Sequence, residues 1–306
     1  MTRITDEQLQ AKRRAESIRA KLKNLGKSVY TQHPSSGMLL LYTQQGFLGR
    51  LAASPYAHQF VLKGALSLFA RYGQVARPTE DIDLAARGMP NTPEQISAVL
   101  KDVCGLDLDD GLTFDADSIQ VQPINEGLEY PGVGVKVTTS LDTSRIVLQI
   151  DVSFGNVITP APVQLAFPAL LLEEAVTVNG YPLETVITEK FAALVERGAA
   201  TTRMKDIYDL WVILSRESFD AALVSRALQN SFEARGTPVQ DIPAVLSAQF
   251  AEDAGMNRQW TQYLRRTRFE APSLSDVWTL LQAFYSPLLL AGVNAGQWHP
   301  ARWVWE

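Results

Sequence analysis

The chain has 306 residues, of which 46% are apolar and 20% charged, a balance that excludes wholesale disorder and leaves room for one large core or two modest ones. The formal net charge of −5 gives no global sign of a nucleic-acid binder, yet the first thirty residues carry eight Lys/Arg against Asp6, Glu7 and Glu16. Cys104 is the single cysteine and the histidines (His33, His58, His299) are far apart, which excludes an intrachain disulfide and a zinc-thiolate cluster.

Taken in chain order, residues 5–25 favour a helix with Gly26 as its stop, and its basic residues form an arm that could meet phosphates or simply face solvent. His33-Pro34-Ser35-Ser36-Gly37 reads as a loop, and Met38 to Ala53 as a helix ended before Pro55. Gln59 to Lys63 is a short strand, Gly64 to Tyr72 a helix, and Asp81 to Ala85 a strand after the turn at 77–80. A helix over 90–104 opens at Pro90-Asn91-Thr92-Pro93. From Leu106 to Phe154 short β-like runs alternate with turns, among them LTFDAD, IQVQPI, VGVKVTTSL and RIVLQIDVSF. Helices dominate from Glu189 onward, with Lys190 in the first turn of the first of them and Met204–Ser215 as the next.

The expected organisation is α+β: an N-terminal helical segment (1–57), an α/β core with a mixed sheet (58–180) and a helical C-terminal lobe (181–306). No apolar run approaches the ~20 residues that span a bilayer, and the charged N-terminus lacks a signal-peptide core, so the expected location is the cytoplasm.

Asp81 and Asp83 stand two apart on a strand, so their carboxylates project from one face. Two ionised carboxylates that close are costly unless a cation lies between them, and an oxygen-only set without His or Cys suits Mg²⁺ or Mn²⁺. A bare Asp-x-Asp is common on exposed strands. Two neighbours add weight. Lys63-Gly64-Ala65 sits at a strand-to-helix junction, where a residue without a side chain lets backbone N–H groups approach a phosphate. Asp151 interrupts the apolar run Val147-Leu148-Gln149-Ile150-Asp151-Val152, a position hard to bury without a partner. If that strand lies beside the one carrying Asp81 and Asp83, three carboxylates converge.

This trio resembles the nucleotidyltransferases of the DNA polymerase β superfamily, with Ala65 in place of the usual second Gly or Ser. Phe60–Ala65, Arg77–Leu84, Ile150–Gly155, Tyr181–Lys190 and Thr202–Trp211 are together similar to the AbiEii/AbiGii toxin family, with Asn156 where Asp often follows Phe-Gly. The resemblance implies a Mg²⁺-dependent nucleotidyltransferase, the toxin half of a toxin–antitoxin or phage-defence pair. It implies an NTP donor, a tRNA 3′ end as acceptor and a cognate antitoxin as partner. It further implies metal ligation by Asp81, Asp83 and Asp151, NTP contacts from Lys63, Gly64, Ala65 and Lys190, and catalytic roles for Lys190 and Asp206, with Asp209 the rival for the last. Surface solvation of Lys190, and a local ion pair of Asp206 and Asp209 with Arg203, are the structural alternatives. For function the rivals are transfer to a protein hydroxyl or a small molecule, and a non-catalytic NTP-binding partner protein.

Overall fold

The computed structural model describes residues 6–31, 35–124, 132–171, 174–198 and 201–306. It divides into two compact units. The first comprises residues 1–156 and 163–180, the second residues 157–162 and 181–306.

The first unit is a seven-stranded mixed sheet with helices. Its strands are β1 (Phe60–Lys63), β2 (Asp81–Ala86), β3 (Leu112–Ile124), β4 (Gly132–Leu141), β5 (Ser144–Ser153), β6 (Val163–Phe167) and β7 (Val176–Gly180). Their order is β3-β4-β5-β2-β1-β7-β6. Among the described residues only β2–β5 and β1–β7 pair in parallel. The antiparallel β4–β5 pair is joined by a short turn at Asp142, whereas the parallel β2–β5 pair needs the long excursion through a helix and a hairpin. The helices are α1 (Asp6–Ser28), α2 (Ser35–Ala53), α3 (Gly64–Tyr72) and α4 (Pro93–Cys104). Thr92 caps α4 by accepting from the Gln95 N–H, and Pro93 occupies its first turn.

Three expectations for this unit are corrected. Gly26 does not stop α1, which runs on to Ser28; a Cβ at Gly26 would lie 2.8 Å from Met38 Cγ, so the glycine lets α1 and α2 approach closely. Of the expected loop at 33–37, His33 and Pro34 lie outside the described residues, and Ser35–Gly37 form the first turn of α2. Serine suits a helix start as well as a turn, and composition does not separate the two. The two β-like runs LTFDAD and IQVQPI form one strand, β3, whose register shifts between Asp115 and Gln120.

A buried ion pair fastens α2 to the head of β3. Arg50 and Asp110 are 1% and 6% exposed, and Arg50 donates from Nη1 to Asp110 Oδ2 (2.6 Å) and from Nη2 to Oδ1 (3.0 Å). The same guanidinium donates to the carbonyls of Gly46 and Leu112 and lies 4.5 Å above the Phe114 ring. Nearly every donor of the fork is thus satisfied, which a buried charge requires.

The second unit is helical: α5 (Leu183–Arg197), α6 (Met204–Leu214), α7 (Ala221–Arg235), α8 (Ile242–Val245), α9 (Ala248–Glu252), α10 (Ala254–Thr267) and α11 (Leu274–Leu290), closed by a hairpin of β8 (Trp298–His299) and β9 (Val304–Trp305). Because α5 begins at Leu183, Lys190 stands about two turns into the helix rather than in its first turn; Pro182 is the N-cap residue that starts it early. Aromatic rings knit this core. Phe191 stacks on Tyr285 at 3.9 Å, and Phe284 touches Phe219, Trp298 and Trp305. Among the described residues no helix is long and apolar enough to cross a membrane.

Candidate active site

Alternation along β2 turns Ile82 and Leu84 into the core, both 0% exposed, and leaves Asp81 and Asp83 partly exposed on the other face. The parallel register sets Asp83 opposite Asp151 of β5. One carboxylate oxygen from each of Asp81, Asp83 and Asp151 can be chosen so that all three lie within 4.8 Å of one another. The antiparallel β1–β2 register places Lys63 opposite Asp83.

Gly64 opens α3 directly after Lys63, and two requirements meet there. Its φ is +65°, and an added Cβ would lie 1.9 Å from Asp83 Oδ2. Any side chain at this position would displace the carboxylate as well as strain the backbone. The N–H groups at the start of α3 therefore remain approachable beside the carboxylates, a setting that favours phosphate oxygens.

Burial, followed by the charge of Asp81, pushes the Asp83 carboxyl above its ordinary range; Asp151 adds to this, and Lys63 and Arg77 oppose it. The Asp151 carboxyl is also raised, chiefly by burial, with the Gln149 hydrogen bond and Lys63 acting against it. Carboxylates that resist ionisation because they are buried and, secondarily, crowd each other, in an all-oxygen set, fit a hard divalent cation such as Mg²⁺ or Mn²⁺.

Several supporting groups escaped the reading of the sequence. The Thr79 hydroxyl donates to Asp81 Oδ1, and the Thr79 carbonyl accepts from Gln44 Nε2 at 3.2 Å. Gln149 Nε2 donates to Asp151 Oδ1 at 3.3 Å. Ser153 Oγ lies 2.6 Å from Asn156 Oδ1 and 3.2 Å from the Leu84 carbonyl. A polar Gln44 in the apolar helix α2, 1% exposed, was the one visible signal for that contact. A cavity of about 400 Å³ of mixed polarity lies elsewhere in this unit, lined by Leu48, Leu51, His58, Val178 and Asn179 among others, together with Leu62 and Leu84, which alternate out of phase with Lys63 and Asp83.

In the helical unit a second cluster forms. Lys190 Nζ donates to Asp206 Oδ1 (2.8 Å) and to Asp209 Oδ2 (2.7 Å), and Arg203 Nη1 donates to Asp206 Oδ2 (3.2 Å). Asp206 and Asp209 are 4% and 1% exposed, one turn apart on α6. Burial alone would raise the Asp206 carboxyl, but the Lys190 ammonium, seconded by Arg203, brings it down to about 2. Lys190 is therefore no surface lysine, and the expected local pair with Arg203 forms at Asp206 alongside it. Tyr208 is core, stacked on Phe269 at 4.8 Å.

A mixed sheet that sets three carboxylates side by side on two parallel strands, with a glycine opening the adjacent helix, is the arrangement of a nucleotidyltransferase. The sequence profile of the nucleotidyl transferase AbiEii toxin of type IV toxin–antitoxin systems matches residues 46–284, and the chain belongs to that family. It is a nucleotidyltransferase, and membership implies an NTP substrate and an antitoxin partner. Among solved structures it is similar to the Helicobacter pylori protein JHP933, at 15% identity and a TM-score of 0.45 over 85% of this chain and 94% of that one. A second H. pylori structure, described as a candidate nucleotidyltransferase, gives 16% identity and a TM-score of 0.45 over 85% and 96%. Comparison with curated proteins gave no significant match.

Proposed function

We propose that this protein is a divalent-metal-dependent toxin that transfers a nucleotide from an NTP to an RNA acceptor, the 3′ end of tRNA, in the cytoplasm. The observation that carries the reading is the convergence of Asp81, Asp83 and Asp151 beside Gly64 in a chain of this family.

Asp81, Asp83 and Asp151 would hold Mg²⁺ or Mn²⁺. Bound there, the cation offsets the repulsion among the carboxylates, neutralises charge on the donor phosphates and lowers the pKa of the acceptor hydroxyl. Asp151 takes the hydroxyl proton at its carboxylate as the oxygen attacks the α-phosphorus. The bond from that phosphorus to the bridging oxygen breaks, and pyrophosphate leaves with the bonding pair. The backbone N–H groups of Gly64 and Ala65 and the ammonium of Lys63 meet the developing charge on the leaving phosphates. Lys190 is assigned a catalytic role through its ammonium, which Asp206 holds. Asp209 is the alternative holder, since both carboxylates accept from Lys190 at nearly equal distance.

The test is transfer from each α-³²P-labelled NTP, with Mg²⁺, into total tRNA and into a tRNA-free cell extract. Asp81→Ala/Asp83→Ala protein should lose more than about a hundredfold of the wild-type rate while remaining folded. Label in tRNA that vanishes in the variant supports both class and acceptor. Label confined to protein or small molecules keeps the site and rejects the RNA acceptor. Equal turnover by the variant rejects the site.

A further inference from the structure

Helix α1 carries a charge pattern that the transfer chemistry does not use. Ala15, Ile18 and Leu22 form its buried stripe, at 3%, 9% and 3% exposure. Two of its cations are spent on docking: Arg14 pairs with Asp109, and Arg19 Nη2 donates to the Leu141 carbonyl (2.8 Å) and to Asp142 Oδ2 (3.2 Å). The others are exposed, and among the described residues no ion pair or hydrogen bond engages Lys12, Arg13, Lys21, Lys23 or Lys27. At 3.6 residues per turn, Lys12, Arg13, Lys23 and Lys27 fall within a sector of about 100°, spread over about 22 Å of helix. Glu16 is the one acidic side chain described in that sector. The exposed face from Lys12 to Ser28 holds no apolar side chain larger than Ala20.

We propose that this face of α1 grips the phosphate backbone of the RNA acceptor at a distance from the reacting end; the inference rests on the RNA-acceptor reading above. Charge and composition select the partner. A protein interface needs an apolar or aromatic centre, which the stretch from Lys12 to Ser28 lacks, Leu9 and Val29 being exposed only beyond its two ends, whereas a polyanion needs only cations at intervals along its track. Position sets the distance. Arg19 holds the helix at Asp142, in the turn that leads into β5, and from Ser144 at the head of that strand to Asp151 is seven residues, which an extended strand covers in about 23 Å. A duplex of roughly seven base pairs bridges such a span. The acceptor that fits is therefore a structured RNA with a helical stem behind its 3′ end, rather than a short single strand.

The test compares wild type with Lys12→Gln/Arg13→Gln/Lys23→Gln/Lys27→Gln protein, all four positions being solvent-exposed, after circular dichroism shows equal folding. Expected are a rise of about tenfold in KM for full-length tRNA, an unchanged kcat and an unchanged KM for the NTP. The slope of log Kd for tRNA against log salt should shrink by about 3.6, roughly 0.9 for each of the four lost phosphate contacts. A short 3′-terminal oligonucleotide should show no difference between the two proteins. Equal tRNA KM and equal salt slopes would overturn the proposal, as would loss of antitoxin binding with RNA kinetics intact. Wild-type protein that labels no RNA would instead overturn the acceptor reading itself, and the two failures are told apart by the wild-type lane alone.

Discussion

Gly64 and Asp83 are best treated as one unit, because the missing side chain of the first is the space occupied by the second. Gly64→Ala combines a φ of +65° with a Cβ 1.9 Å from Asp83 Oδ2, so it should cost about 1–3 kcal/mol in stability and more than about a hundredfold in transfer rate. Urea unfolding and the labelled-NTP assay read the two effects separately. The carboxylates make an opposite stability prediction. Asp83 and Asp151 have raised folded-state carboxyls, so the folded protein binds more protons than the unfolded chain above the ordinary carboxylate range. Stability from this site therefore falls as pH rises through that range. At pH 8 in EDTA, Asp83→Asn should be more stable than wild type. Added Mg²⁺ at a hundred times its Kd should raise wild-type stability by about 2.7 kcal/mol and leave Asp83→Asn nearly unmoved. A wild type indifferent to divalent cations in thermal melts would refute the cation reading of these three residues.

At the scale of elements, the Arg50–Asp110 pair joins α2 to β3 across sixty positions of chain. Asp110→Ala leaves a buried guanidinium without its carboxylate and should cost about 3–5 kcal/mol. Arg50→Met/Asp110→Leu removes both charges and should recover most of that loss; a double-mutant cycle in urea measures the difference. Only half of this pair is announced locally: Arg50 is the single charged residue of the apolar helix α2, but nothing marks Asp110, rather than Asp107 or Asp109 beside it, as the partner. The same limit governs what the sequence revealed of the fold. β2 and β5 were legible because charged residues interrupt alternating or β-branched runs, and the β2–β5 pairing follows once Asp151 requires partners. β6 and β7 were not, being five residues each, and neither was β7's parallel pairing with β1, a long-range event. Thr79 and Gln149 stood in plain view, but their contacts with Asp81 and Asp151 depend on geometry that spacing does not specify. Lys190 was misplaced along α5 because β-branched Thr185, Val186, Ile187 and Thr188 mask its start, although its link to Asp206 is a tertiary contact across sixteen residues.

For the whole molecule, acid should act on the two units in opposite senses, and tryptophan fluorescence can observe one of them selectively. All six tryptophans (Trp211, Trp260, Trp278, Trp298, Trp303 and Trp305) belong to the helical unit. Asp206, in that unit, is held down to about 2, so in the window between about 4 and 2 the folded state binds fewer protons than the unfolded chain. Its contribution is complete above about 4 and is lost as pH falls towards 2, at most about 2–3 kcal/mol. In the first unit, Asp83 and Asp151 are raised and relax when protonated, so the same acidification relieves repulsion there. Two cores of this kind need not unfold as one cooperative step. The expected outcome is a urea midpoint by tryptophan fluorescence that drops from pH 5 to pH 3, while the far-UV transition broadens as the two units part. In Asp206→Asn the tryptophan midpoint should start lower at pH 5 and fall less over the same interval, because the titrating group is gone. Coincident fluorescence and far-UV curves at every pH, with the same pH dependence in wild type and variant, would show that the Lys190–Asp206 link contributes nothing specific to the helical core.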